Sequence, residues 1–309
     1  MLNKTALSHL ALFAANLIYA ITFTVAKDVM GGYVSPIAFI LMRATGATIM
    51  FWIIHQLFIR EKVDKKDWKW LFLCGFFGVA FNQMMFFKGL DLTTPINAAV
   101  TMTSTPILVF LSAIYLGQER LNLRRGIGIL LGAVGAITLI LMSTSQLRAE
   151  NPTLGNFLVF VNAISYSIYL VLAKPLMTKY NPVTVIKWAF TIGWVMILPF
   201  GAQGLSEVVW TDMGPNIIWS IVFVVVGTSF LAYLFNIIAL KNLRASTVSF
   251  YIYLQPLLAT VIALSVGSDS LSATKVLSGV AIFIGVFLVS YQKPKSKRLN
   301  LEDKEELKS

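Results

Sequence analysis

GLDLTTPINAAVTMTSTPILVFLSAIYLGQERL, residues 89–121, is echoed 150 positions on by ALKNLRASTVSFYIYLQPLLATVIALSVGSDSL, residues 239–271. Pro106 falls on Pro256, Gly117 on Gly267, Glu119 on Asp269 and Leu121 on Leu271. The register runs on until Gly135 meets Gly285. Few positions are identical, but the anchors align without a gap and the hydropathy matches. Such self-similarity marks an internal duplication, and here it halves a 309-residue chain. The first parts of the two halves echo each other at a shift of 147. Tyr19-Ala20-Ile21 through Ala26-Lys27 meets Tyr166-Ser167-Ile168 through Ala173-Lys174, and Pro36 and Pro182 then open the next segment of each half.

Both halves are apolar. Hydrophobic residues make up 57% of the chain and charged residues 13%, with mean hydropathy +0.76. A water-facing domain carries roughly 25% charged residues, so the composition describes a polytopic membrane protein. The net charge of +11 would suggest nucleic acid in a soluble protein. Here the bases lie between apolar segments, so they speak for orientation in a bilayer and against a nucleic-acid partner. The single cysteine, Cys74, excludes an intramolecular disulfide and sits in an apolar run as packing. The N-terminal apolar run is too long for the core of a cleaved signal.

Apolar stretches of about 18–24 residues read as membrane-spanning helices. There are ten: Leu7–Ala26, Pro36–Ile59, Trp70–Phe87, Pro95–Leu116, Arg125–Met142, Leu154–Ala173, Val183–Gly201, Asn216–Ala239, Ala245–Val266 and Thr274–Tyr291. One set of connections carries Lys4, the Arg60–Lys69 cluster, Arg120, Arg124, Arg125, Lys174, Lys179, Lys241, Arg244 and Lys293–Arg298. The other holds only Lys27, Lys88, Arg148 and Lys275. By the positive-inside rule both termini are cytoplasmic. Five helices per copy force the second copy into the membrane upside down, giving the inverted repeat of many secondary transporters. The expected boundaries are 1–145 for the first five-helix repeat, 146–292 for the second and 293–309 for a charged cytoplasmic tail, with Ser143–Pro152 as linker. The whole forms one all-α integral membrane domain.

Candidate binding groups should face inward near the midplane. Asn97, Thr101 and Thr105 lie four apart on one helix face, and their echoes are Thr247, Tyr251 and Gln255. Such residues either line a shared cavity or tie helices together; two stripes in register favour the cavity. Asn82 and Gln83 lie mid-span, with Gln83 echoed by Tyr233 and Asn236 one turn on. Asn16, Tyr19 and Thr22 recur as Asn162, Tyr166 and Tyr169. Phe23, Phe86 and Phe87 would supply flat apolar walls. Pro106 and Pro256 each free a carbonyl four residues back, at Met102 and Ile252, and would kink their helices beside the stripes.

Arg43 is the strong charge deepest in a span, about 10 Å below the start of its helix. An intramembrane Arg is costly and needs a partner. Backbone carbonyls, Asp28, Asp91 or an anionic solute are the candidates, and the residue reads as structural or gating. Lys187, nearer its helix end, would reach the cytoplasmic surface; His9 and His55 would be interfacial. No span carries Asp or Glu. The sequence has no metal cluster of His, Cys and Glu, no phosphate-binding GxxxxGK[ST] loop and no intramembrane Ser/His/Asp set. The reading is therefore no enzyme, no metal and no cofactor.

Pro106 with the step Leu116-Gly117-Gln118-Glu119-Arg120, and its copy Pro256 with Val266-Gly267-Ser268-Asp269, carry a resemblance. So do the glycine-spaced fifth and tenth helices, the Gly89-Leu90 and Ala239-Leu240 steps, and Arg43 after a Pro-led second helix. In this order the chain resembles the EamA-type branch of the drug/metabolite transporter superfamily over about 290 residues. The resemblance implies alternating access around a central cavity, with amino acids, other metabolites or xenobiotics as substrates, often exported. The small multidrug relatives place a proton-carrying Glu eight residues before a Lys. This chain has Tyr19 and Tyr166 there, which speaks against that mechanism. The expected protein is a metabolite transporter of the cytoplasmic membrane, monomer or homodimer, with a small-molecule substrate and the lipid bilayer as its partners. The alternatives are an exchanger of phosphorylated or nucleotide-bearing solutes, and a lipid-handling or scaffold protein.

Overall fold

The computed structural model describes residues 4–30, 32–141, 150–265 and 273–290. These form ten helical rods and, among the described residues, no strand. In chain order they are α1 (Lys4–Met30), α2 (Pro36–Phe58), α3 (Trp68–Gly75, Phe76–Ala80 and Phe81–Leu92), α4 (Pro95–Met102 and Thr105–Tyr115), α5 (Leu123–Leu141), α6 (Pro152–Lys179), α7 (Pro182–Ser206), α8 (Pro215–Phe223, Val224–Ala232 and Tyr233–Asn242), α9 (Ala245–Phe250, Tyr251–Tyr253 and Leu254–Ser265) and α10 (Ala273–Ser290). Seven of them are long and apolar enough over their described residues to cross a membrane. Residues 143–149 of the interrepeat linker, the Gly267–Asp269 step and the charged tail lie outside the described residues.

The helix starts follow the sequence. Proline takes the first turn of α2, α4, α6, α7 and α8, where its missing N–H costs nothing. The preceding Ser35, Thr94, Asn151 and Asn181 side chains accept from backbone N–H groups of that turn, as N-caps do. Lysines close the other ends. Lys27 Nζ donates to the carbonyls of Leu90, Asp91 and Thr93 at the end of α3. Its echo Lys174 donates to Leu240, Lys241 and Leu243 at the end of α8. A helix C-terminus leaves carbonyls unpaired and carries partial negative charge, so a cation serves both needs.

Packing repeats as the chain does. α1 lies on α8 and α6 on α3. Thr22 meets Thr228 hydroxyl to hydroxyl at 2.6 Å, and at the echoed place the Tyr169 ring covers Gly78. The tightest crossing joins α5 to α10. A Cβ on Gly135 would stand 2.7 Å from the Ser278 carbonyl oxygen; one on Gly285 would stand 2.7 Å from that of Gly128. Gly128 and Ser278, and Gly135 and Gly285, are echoes of each other, so one contact is made twice across the pseudo-axis. Small residues admit such close backbone approach between membrane helices.

Two irregularities also come in pairs. α3 and α8 widen into π-helix over Phe76–Ala80 and Val224–Ala232. α4 breaks at Thr103–Ser104 and α9 tightens to a 3-10 turn over Tyr251–Tyr253, just before Pro106 and Pro256. The echoed residues Thr103 and Tyr253 touch, the tyrosine hydroxyl donating to the Thr103 carbonyl at 3.0 Å.

Gly285→Ala should separate α5 from α10 and lower stability by roughly 1–3 kcal/mol. Gly126→Ala on the same pair, with nothing within 4 Å of the new methyl, should leave stability unchanged or raise it by up to about 1 kcal/mol. Thermal unfolding of both variants in one detergent checks this; equal shifts would contradict the close crossing.

Candidate functional site: a cavity between the two repeats

The paired breaks surround a cavity that opens to solvent, with about 650 Å³ of empty space when the open solvent at its mouth is counted. Its walls contain echoed pairs: Tyr19 with Tyr166, Gln83 with Tyr233, and Met102 with Ile252. Thr22, Asn82, Asn162, Thr228 and Gln255 add polar groups, Phe86 and Phe87 apolar faces, and Arg43 the one charge. The Met102 and Ile252 wall positions are the carbonyl sites that the two prolines release.

The wall is tied by side chains that reach across helices. Asn162 donates to the Asn82 carbonyl at 2.9 Å and Asn82 returns a bond of 3.4 Å to the Asn162 carbonyl. Gln255 donates to Asn16 Oδ1 at 2.9 Å, while Asn16 donates to the Leu12 carbonyl. Asn236 donates to the Tyr19 hydroxyl at 3.2 Å. The π-helical segments are anchored too: Ser165 donates to the Phe77 carbonyl and Ser229 to that of Val224.

Of the residues expected from sequence, Tyr19, Asn82, Gln83, Tyr166, Tyr233 and Gln255 line the cavity. Asn16 and Asn236 stand behind it, bonded to wall residues. Asn97, Thr101, Thr105 and Tyr251 are not among its walls. Thr101 donates to the Asn97 carbonyl within α4, and Thr105 is buried. The Tyr251 hydroxyl lies 2.7 Å from His9 Nδ1. Sequence reading missed Thr228 and Ser229, small hydroxyls in an apolar π-helical run. The Phe23 side chain lies outside the described ones.

Three basic or imidazole groups of α2 and α7 are buried. Arg43 pairs with no carboxylate; its Nε donates to Ser229 Oγ at 2.9 Å and its Cζ stands 4.1 Å over the Phe87 ring. Lys187 does not reach the surface. It is 2% exposed, with Nζ over the Trp52 and Trp188 rings and 3.3 Å from His55 Nδ1. Two indole faces give a cation a place inside the protein. His55, in the last turn of α2, is likewise buried.

The two faces of the bundle are packed differently. On the Lys/Arg-rich face, α9 is buried from Ala245 through Gln255. Ser8 accepts from Asn242 at 3.0 Å and His9 meets Tyr251, fastening α1 to this end of α8 and α9. Gly117, with φ +68, ends α4 in the left-handed region and turns the chain. Glu119 then reaches the start of α9, where its carboxylate accepts from the Ser246 N–H and hydroxyl and pairs with Arg125 at 2.8 Å. A carboxylate there caps a helix that has no side-chain cap of its own. On the opposite face, the echoed stretch Asn97–Met102 of α4 is only half-buried except for Ala98. The inverted repeats have thus taken different conformations, closed at one end of the cavity and loose at the other.

A helical membrane bundle with a polar cavity between inverted repeats is an architecture that membrane transporters use. Over residues 6–141 and 153–291 the chain matches the EamA-like transporter family and belongs to it. Relatives agree in kind. An uncharacterized transporter of Archaeoglobus fulgidus is 23% identical over 82% of this chain and 86% of its own. The uncharacterized transporter YyaM of Bacillus subtilis is 23% identical over 91% and 93%, and a WAT1-related protein of Arabidopsis thaliana 22% over 96% and 88%. A solved crystal structure shares the fold at TM-score 0.73 and 19% identity, covering 91% of this chain and 97% of that one. The protein is thus a multi-pass membrane transporter.

The Glu119–Arg125 pair has side chains only 3% and 7% exposed. Glu119→Ala should therefore strand a buried cation and uncap α9, costing about 3–5 kcal/mol. Adding Arg125→Ala should cost less than the sum of the single changes, a coupling of about 0.5–3 kcal/mol. Unfolding of the three variants checks this; a single variant as stable as wild type would remove the capping role.

Proposed function

We propose that this transporter moves small amphipathic metabolites of amino-acid type out of the cell by alternating access, and that it acts as a carrier rather than as an enzyme. The observation that carries the reading is a cavity shared by echoed residues of both repeats, with α9 buried along one end of it where the echoed stretch of α4 is half-buried. Repeats that can exchange conformations can exchange which end is fastened. By the distribution of bases, the fastened end is cytoplasmic, as are both termini, and the membrane is the cytoplasmic membrane.

In this reading Gln83, Asn82, Asn162 and Gln255 hydrogen-bond the solute while Tyr19, Tyr166 and Tyr233 pack on it. Asn97 and Thr101 belong to the loosely packed approach, and Tyr251 to the closure. When the solute leaves, α4 would pack as α9 does now, hinging at the breaks before Pro106 and Pro256. A phosphorylated or nucleotide solute would need more positive charge than the one cation among the described cavity walls.

A thermal-unfolding screen in detergent against amino acids, amines, nucleotides, sugar phosphates and aromatic cations tests the site. A ligand at 100 times its Kd stabilises by about 2.7 kcal/mol. We expect stabilisation by amino acids and its loss in Gln255→Ala. Stabilisation that survives unchanged in both Gln255→Ala and Tyr19→Ala would remove the assignment, and hits confined to phosphorylated solutes would replace the substrate class.

A further inference from the structure

Arg43 is 2% exposed and lines the cavity. A guanidinium offers five N–H donors. Here Nε bonds Ser229, the ring face of Phe87 lies beneath Cζ, and the buried Nη1 has no hydrogen-bond partner among the described residues. Among the described residues no Asp or Glu stands in the cavity wall, so no carboxylate there balances the buried positive charge.

The same protein shows what an anchoring cation looks like. Lys27 and Lys174 each spend their ammonium on three backbone carbonyls of a helix end. Among the described residues, the hydrogen bond that Arg43 makes is to a hydroxyl and not to a carbonyl. Its fork is held by one hydroxyl and one aromatic face, with a donor edge left over. Among the buried amides of the wall, Gln83 lacks partners at both Oε1 and Nε2 and Asn162 at Oδ1, so two unpaired acceptors and one unpaired neutral donor share the wall with the guanidinium. The cavity therefore offers one fixed positive group and unpaired neutral amide groups.

We propose that Arg43 is the binding residue for a carboxylate of the solute, and that the solute also carries N–H donors for the Gln83 and Asn162 carbonyl oxygens. This proposal rests on the transport reading above and narrows it to carboxylates, zwitterionic amino acids being the simplest solutes that meet both demands. Charge stoichiometry selects the anion. One guanidinium and one carboxylate form a bidentate pair that neutralises Arg43 itself, and the ammonium of a zwitterion then falls to the unpaired amide oxygens, so each charge brought into the low-dielectric site has a partner there. A phosphate monoester carries about −1.5 to −2 at pH 7 and would leave the cavity net negative. Arg43 then needs no carboxylate from the protein because the cargo brings it.

The test uses full-length protein in liposomes loaded at pH 7 with phenylalanine and leucine, with their amides, or with the matching amines that lack the carboxyl group. Release is followed by mass spectrometry. Wild type should release the acids at least roughly tenfold faster than the amides or amines. Arg43→Gln should lose that preference, the ratio of acid release to amide or amine release falling by roughly tenfold or more. Arg43→Lys, which keeps a point charge without the fork, should keep the preference in weakened form. Equal release of acids and amides by wild type would overturn the carboxylate role while leaving transport standing. So would a parallel fall of all solutes in Arg43→Gln. No release of any solute by wild type would overturn both readings. Should Arg43→Gln fail to fold, the acid-to-amide ratio of wild type decides alone.

Discussion

Hydrocarbon supplies no hydrogen bonds, so a helix that breaks inside a membrane must recover its lost bonds from the protein itself. This constraint governs where the irregular backbone of this transporter can lie. The break in α4 is bridged by Thr103 and Ser104, whose hydroxyls donate to the Val100 and Thr101 carbonyls. The Tyr253 hydroxyl from the matching turn of α9 serves Thr103 as well. The π-helical stretches of α3 and α8 are met by Ser165 and Ser229. All four irregular places lie around the cavity, which agrees with the rule that such backbone is tolerated beside a polar site.

Inverted duplication gives each of these devices a counterpart. Where the two copies behave alike, one contact is made twice, as at the lysine-capped helix ends and the glycine crossing of α5 with α10. Where the copies differ, the molecule reports its state. α9 is fully packed over the stretch where α4 is half-open, and Glu119, Ser8 and His9 hold the packed end. The cost of burying Arg43 falls on the same region. A protein that already meets its other buried cations with carbonyls, indoles or a carboxylate leaves this one to a hydroxyl and a phenyl ring.

Much of this was legible in the sequence. Ten segments, their proline starts and the pairing of the two halves follow from hydropathy, from the fixed φ of proline and from register. Lys27 and Lys174 were visibly echoed, but their task was hidden, because it depends on which helix end lies beside them. The polar stripe Thr247, Tyr251 and Gln255 shares a face only in an unbroken α-helix. The 3-10 turn at Tyr251–Tyr253 adds rotation, so Gln255 reaches the wall while Tyr251 goes to His9. The thioether and aliphatic walls at Met102 and Ile252 carry no polar signal. For Arg43 the sequence offers backbone carbonyls, Asp28, Asp91 or an anionic solute as partners, and a lone serine in the run VVVGTSFLA cannot be singled out from its type. Lys187 was given the surface because its position near a helix end allows it; two tryptophans from different helices hold it inside instead.

The central claim is that the fastened end must open for transport to occur. Ser8 and Asn242 join α1 to α8 there, side chain to side chain at 3.0 Å. Cysteines at both positions, in a background with Cys74→Ala, would allow that contact to be locked and released. The measurement is amino-acid efflux from liposomes with the disulfide formed and then reduced. The account predicts that oxidation stops efflux and reduction restores it. Undiminished efflux from fully cross-linked protein would contradict it.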